Sequence, residues 1–176
     1  MPNTCSRNAS REQIFASRVG GKESKRLGEK QCTCSPDEVV VLGGGCDMPL
    51  IHIDAIEGRS EAEIQTLLDA AHRAMLSALH VPVRDRYQIY QEHRASHLIA
   101  QDTGLGIVRT KSLVIVSVIS RERTQEMKEK FYAELCRELQ ASCAIDPSDV
   151  IVSIVTNSSA DWSFGKGSAQ FLTGEL

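Results

Sequence analysis

The feature that most constrains this chain is an internal duplication. Shifted by 64 residues, Ile51 falls on Ile115, Arg59 on Arg123, Ser60 on Thr124 and Leu67 on Phe131. The register holds through Met75 and Leu139, Val81 and Ile145, and Asp85 and Asp149. Each copy reads as strand, helix, strand, and a crossover of that kind is right-handed. Two such units predict an α+β fold: a four-stranded sheet with both helices on one face. The other face needs a cover, which so small a domain is expected to find in a second copy of itself.

Local patterns place the elements. Leu50 to Ile56 alternates Leu50, His52 and Asp54 with Ile51, Ile53 and Ala55, the period of a strand. Ser60-Glu61-Ala62-Glu63 is a capping box, in which hydroxyl and carboxylate each satisfy an orphan backbone donor. Behind it Ile64, Leu67, Leu68, Ala71, Met75, Ala78 and Leu79 line one face of a helix that stops before Pro82. Leu113 to Ile119 is a near-continuous β-branched run, as expected of a strand buried on both faces. Thr124 caps a second helix striped by Met127, Phe131, Leu135 and Leu139, and Val150 to Val155 is a further strand.

The pattern begins at Pro49. Residues 1–48 have neither period 2 nor period 3.6 and are predicted to be a disordered or non-native extension, leaving 49–176 as the folded domain. Within the extension, Val39 to Leu42 is too short to assign as a strand. Cys32-Thr33-Cys34 lacks a second Cys/His pair at zinc spacing, so no metal site is expected.

Several function classes fall away. No apolar run approaches the roughly 18 residues of a membrane span, and a net charge of −3 gives no reason to expect nucleic acid. No signal-peptide core is seen, so a reducing cytoplasm is the expected location. Cys136 and Cys143 are then reduced, partly buried thiols of the second helix. Gly104-Leu105-Gly106 is a lone GxG without a following helix, which is too little for a nucleotide loop. The five histidines (52, 72, 80, 93 and 97) have no metal-ligand spacing, with His72 and His80 falling on a helix and His97 in a loop. No Ser/Cys–His triad is supported, and no cofactor is expected.

A doubled βαβ unit whose first residue is a proline directly after methionine resembles the tautomerase superfamily. PLIHIDAIEGR at 49–59, LLDAAHRAM at 67–75, RDRYQIYQE at 84–92 and ASHLIAQDTGLGIVRT at 95–110 carry the resemblance. SRERT at 120–124, KFYAELCREL at 130–139 and DWSFGKGSAQFLTGEL at 161–176 extend it. Together they are similar to the malonate semialdehyde decarboxylase branch, over nearly all of 49–176 and none of 1–48. The resemblance implies a homo-oligomer, a trimer, that acts on a small 3-oxo acid without a cofactor.

An N-terminal proline supplies a secondary amine with an unperturbed pKa of about 7.7–8.0, so its surroundings decide whether it is base or acid. Decarboxylating a β-aldehydo acid needs a positive group at the aldehyde oxygen and cations that orient the carboxylate. The resemblance gives the first task to Pro49 and the second to Arg121 and Arg123. In extended chain those two side chains point the same way; read alone, they are a solvated pair at a loop. Asp85 reads alone as a surface ion pair or turn cap, whereas the resemblance puts it beside the proline, holding the amine cationic or positioning a water. Trp162, Phe164, Phe171 and Leu176 read alone as packing in a C-terminal hairpin. The resemblance sets them around the substrate, as an apolar wall that strengthens charged contacts. Asp161-Trp162 stands where dehalogenase relatives carry a water-activating glutamate, which argues against hydrolytic dehalogenation.

The family's proline is the first residue of the mature protein, while Pro49 in this chain follows Met48. The expected explanation is that Met48 is the true initiator. The Gly43-Gly44-Gly45 codons begin with GG and can spell a ribosome-binding run before it. Removal of a targeting segment and a genuine extension are the alternatives. The reading from sequence is decarboxylation of malonate semialdehyde (3-oxopropanoate) to acetaldehyde and CO2. A tautomerase or hydratase of 2-oxo acids is the alternative, or a non-catalytic oligomeric relative if residues 1–48 remain.

Overall fold

A computed structural model describes residues 48–176. The extension, with Val39 to Leu42 and Cys32-Thr33-Cys34, lies outside the described residues. The order is β1 (Leu50–Ile56), α1 (Glu61–Leu79), β2 (Tyr87–His93), β3 (Val114–Arg121), α2 (Gln125–Cys143), β4 (Val150–Asn157) and a short α3 (Gln170–Thr173). Single 3-10 turns precede β4 and α3, at Pro147–Asp149 and Ser159–Asp161.

The duplication is visible in the helices. α1 and α2 are each 19 residues long and begin 64 positions apart. Ser60 and Thr124 cap their starts, and His80 and Ala144 end them in the left-handed region, both at φ 53°. The capping box at α1 forms as the sequence predicts: Ser60 N–H donates to Glu63 Oε2 at 2.8 Å, and Glu63 N–H donates to Ser60 Oγ at 3.3 Å. The Ser60 hydroxyl, donating to Glu63 Oε2 at 2.7 Å, and then the Ser60 N–H hold the Glu63 carboxyl below its usual value.

β1 runs parallel to β2 and antiparallel to β3, and β3 runs parallel to β4, giving the sheet order β2-β1-β3-β4. One face carries Ile51, Ile53, Ala55, Val114, Val116 and Val118, all 0% exposed and packed under both helices. Leu67, Met75, Leu79, Phe131, Leu135 and Leu139 fill the layer from above.

β3 departs from the sequence reading in one respect. Its burial alternates, with Val114, Val116, Val118 and Ser120 buried but Ile115 and Ser117 only half-buried and Ile119 37% exposed. The apolar run therefore serves two faces, of which the chain itself covers one. Tyr87 and Ile89 on β2 and Val155 on β4 are exposed at 41%, 47% and 55% and share the uncovered face by register. The polar centre of that face is a cluster in which His93 Nε2 lies 2.6 Å, and His52 Nε2 3.7 Å, from Asp54 Oδ1. Among the described residues no group of three or more His, Cys, Asp or Glu side chains could hold a metal ion, and no helix is long and apolar enough to cross a membrane.

Phe131, fully buried at the junction of α2 and the sheet, is the largest single contributor to the layer. Phe131→Ala is expected to cost about 3–5 kcal/mol, and Ser60→Ala at the α1 cap about 1 kcal/mol. Urea unfolding followed by circular dichroism would read both, and equal losses would contradict this account of the core.

Candidate active site

Strand directions decide what meets at each end of the sheet. Leu50 pairs with Tyr87 across β1 and β2 and with Ile119 across β1 and β3, while Arg121 pairs with Asn157 across β3 and β4. The starts of β1 and β2 and the finishes of β3 and β4 therefore share one end. Pro49, Asp85, Arg121, Arg123 and the segment after Asn157 all emerge there.

Pro49 is buried. A proline at this point costs the sheet nothing, because it precedes the first ladder residue and a missing N–H is tolerated at a strand start. A cavity of about 310 Å³ opens at this end, with Met48, Asp85 and Tyr87 in its lining. Met48 is bonded to the proline nitrogen and is itself 5% exposed. The substituent on that nitrogen is thus directed to the cavity.

Asp85 is 5% exposed. Its backbone N–H donates to Pro82 O at 2.9 Å, the tight turn that swings it under the start of β2. The Arg84 side chain, 83% exposed, passes its Nε 3.7 Å from Asp85 Oδ1 and also lines the cavity.

The C-terminal segment forms a wall rather than a hairpin, since no strand follows Asn157 among the described residues. Phe164 is its centre. It stacks on Trp162 with centroids 5.4 Å apart and planes at 10°, meets Phe171 edge-on at 5.4 Å, and tilts against Tyr87 at 5.8 Å. Trp162 is pinned by its Nε1–H, which donates to Asn157 Oδ1 at 2.9 Å. Phe164 and Leu176 line the cavity; Trp162 and Phe171 back them. Asp161 is occupied elsewhere: its Oδ2 accepts from Ser158 N–H and Oγ–H at 2.7 Å each, which keeps its carboxyl low.

The two arginines reach this end by different routes. β3 finishes at Arg121, whose guanidinium sits 5.0 Å over the Phe171 ring, a cation–π arrangement that ties the cation to the wall. Arg123 lies beyond the strand, so the two-residue period does not extend to it. It is 8% exposed, donating from Nε to Ser120 Oγ at 3.1 Å and from Nη1 to Leu79 O at 3.3 Å. The structure brings both to the site end but anchors each to a different element.

Four cavity residues are not singled out in the sequence: Arg84, Tyr87, Gln170 and Glu175. Tyr87 is legible as the first residue of a strand, whereas Gln170 and Glu175 stand in a segment with no period to mark them. His97 lies in the loop that leaves the far end of β2 and is not among the residues lining this cavity. Gly104-Leu105-Gly106 wraps a carboxylate of its own chain, as Asp102 accepts from the N–H groups of Leu105, Gly106 and Ile107 at 2.9–3.2 Å. A second cavity, of about 380 Å³, opens between the start of α1 and the end of α2 beside Arg59. Its arginine is held by Ile56 O and Ser112 O at 3.1 and 3.0 Å, and burial pushes its Cys143 thiol upward.

Comparison with known proteins gives a consistent result. Residues 49–107 match one sequence profile described as a tautomerase enzyme, and residues 85–165 match a second with the same description. The probable tautomerase YrdN of Bacillus subtilis (strain 168) is 54% identical over 129 residues, covering 73% of this chain and all of the relative. A malonate semialdehyde decarboxylase, solved as wild type, as a variant with alanine for the proline at its first position, and inactivated, is 50% identical. It superposes at TM-score 0.71, covering 72% of this chain and 98% of that one. A second malonate semialdehyde decarboxylase, solved with 3-bromopropiolate as inhibitor, is 43% identical at TM-score 0.69, covering 72% and 97%. With a curated tautomerase matched along its whole length at this identity, the chain belongs to the tautomerase family.

Proposed function

We propose that the mature protein begins at Pro49 and decarboxylates 3-oxopropanoate to acetaldehyde and CO2 without a cofactor. The observation that carries this reading is Met48, which hangs from the proline nitrogen and lines the cavity beside buried Asp85. Loss of Met48 would turn an inert amide into a secondary amine facing that space. Two further facts support the boundary. A family profile starts at Pro49, and the 129 residues matched in YrdN equal the length of Met48–Leu176.

In the proposed chemistry Arg121 and Arg123 bind the carboxylate, and the aromatic wall keeps water from the charged contacts. A fixed carboxylate can hold its bond to the methylene carbon out of the carbonyl plane. The breaking bond then overlaps the carbonyl π system. Cationic Pro49 donates to the aldehyde oxygen while the C–C bond electrons move into the carbonyl, giving an enol and CO2. A proton added at the methylene carbon, with the enol O–H proton returned to the now neutral Pro49, yields acetaldehyde. In a covalent variant, neutral Pro49 adds to the aldehyde and expels water. The iminium takes up the electron pair as an enamine, and protonation and hydrolysis release the same product. Asp85 favours the cationic amine by its charge.

The assembly proposed with this activity is a homo-oligomer, a trimer as the resemblance implies. The supporting fact is the helix-free face with exposed Tyr87, Ile89, Ile119 and Val155. A second activity, on 2-oxo acids as tautomerase or hydratase, is favoured by the likeness to YrdN, a probable tautomerase, and by the hydratase activity of the 50%-identical decarboxylase. A substrate panel separates the two.

Protein made from the native gene in its own host is expected to have the mass of Pro49–Leu176 and to turn over 3-oxopropanoate. A mass that retains residues 1–48 would leave Pro49 as an amide and favour a non-catalytic oligomeric relative. Arg121→Ala and Arg123→Ala should each lower kcat/KM by on the order of 100-fold, the scale of a lost charge-assisted contact. An unchanged Arg123→Ala enzyme would remove that residue from the carboxylate site. Borohydride added with substrate should fix an adduct on the Pro49 peptide if the iminium forms, and intact peptide mass would leave acid catalysis as the route.

A further inference from the structure

We infer that Gln170 is a positioning residue for the reaction: its side-chain amide sets the aromatic wall, and through Phe171 the seat of Arg121. The inference rests on the decarboxylase reading for its kinetic consequence and on geometry alone for its structural one. Gln170 is 8% exposed and lines the cavity. Its Oε1 accepts the Phe164 N–H at 2.9 Å, and its Nε2 donates to Gly165 O at 2.8 Å and to Ser168 Oγ at 3.1 Å. One amide therefore closes the turn 164–170 from inside, satisfying groups that no helix or strand serves. That turn contains Gly165, Lys166 and Gly167 at φ 133°, 57° and 70°. Backbone in the left-handed region is held by its surroundings rather than by preference, most of all at the non-glycine Lys166.

The consequence reaches the substrate end through two aromatic contacts. Phe164, whose backbone Gln170 fixes, meets Phe171 edge-on, and Phe171, the residue after Gln170, carries the Arg121 guanidinium over its ring. The amide thus holds both rings in one frame. The backbone bonds of α3 are separate: Ala169 O accepts the N–H groups of Leu172 and Thr173 at 2.8 and 3.1 Å, and Gln170 O accepts that of Glu175 at 3.2 Å, none of which needs a glutamine side chain. The buried core under the two helices includes no residue of this segment. Substitution at 170 is therefore expected to loosen the wall and leave the domain folded.

The test uses the chain beginning at Pro49 and two readouts. Trp162, the only tryptophan, stacks on Phe164 and reports the wall by acrylamide quenching of its fluorescence. Steady-state kinetics with 3-oxopropanoate report the site. Gln170→Leu, similar in size but without the amide, should raise the quenching constant and raise KM by roughly 10-fold, since carboxylate binding loosens with Arg121. A variant that only lost folded enzyme would lower kcat at unchanged KM. Gln170→Glu separates donor from acceptor. Ionised, it can still accept the Phe164 N–H but cannot donate to Gly165 O; protonated, it regains a donor. Its KM and quenching should both move toward wild type as pH falls, relative to wild type at each pH. Wild-type quenching and KM within twofold in Gln170→Leu would overturn the inference. If wild-type protein fails to turn over the substrate, the decarboxylase reading falls, and the quenching series alone still decides the role of Gln170.

Discussion

Because β1 and β3 pair antiparallel while each is parallel to its own edge strand, the whole distribution of chemistry in this molecule is fixed by one ladder. A start of β1 must lie beside a finish of β3. The residue before β1 and the residues after β3 and β4 are brought together with no further instruction from the sequence. The helices pack on the one face that this arrangement leaves free of loops, and their burial supplies the hydrophobic driving force that holds the ladder in register. A one-residue slip would turn Ile51, Ile53 and Val116 outward and dismantle both the core and the site.

The duplication makes two comparable ends, and what separates them is visible in the hydrogen bonds. Leu113, buried, stands at the far end where Pro49 stands at the near one. Asp149 matches Asp85 and is likewise buried, and its carboxylate accepts from Thr110 N–H and Oγ1 at 2.6 Å each. Arg109 adds a bond to Ser148 O. Arg59 and Arg123 are likewise a pair, each spending donors on backbone carbonyls. The connection from β2 to β3 plugs the far end, while the C-terminal segment walls the near end and leaves a cavity. Two related halves therefore set the repeated aspartate in different surroundings, Asp149 against the connection from β2 to β3 and Asp85 in the lining of a cavity.

What could be read from the sequence follows from the range of each interaction. The strand at Leu50 to Ile56, the capping box at Ser60 and the helix from Thr124 rest on contacts within a few residues, and all stand where the periodicity puts them. The repeat extended that reach by equating distant positions. β3 reads from the sequence as buried on both faces and the chain itself covers one of them, because a sequence records how apolar a face is, not what covers it. Period 2 does not place the arginine pair for a related reason: it applies only while the strand lasts, and β3 ends at Arg121. Tyr87, Gln170 and Glu175 escaped because a single residue in an irregular segment has no period, and Gln170 acts through backbone groups of neighbours that any sequence would possess.

Position 49 shows how fold and chemistry constrain each other. A central strand tolerates proline only before its first ladder bond, and a catalytic secondary amine is available only where no residue precedes the proline. Both conditions meet at the head of β1 once Met48 is gone. Nothing in the packing below would change on that loss, since the core is built from Ile51 onward. The cavity, which Met48 and Asp85 both line, would gain the volume of a methionine side chain. A buried carboxylate beside a free amine favours the ammonium form, whereas the nearby guanidinium groups oppose it. On the proposed reading, the amine's proton affinity is a competition between Asp85 and two cations anchored independently, Arg121 over the Phe171 ring and Arg123 on Leu79 O.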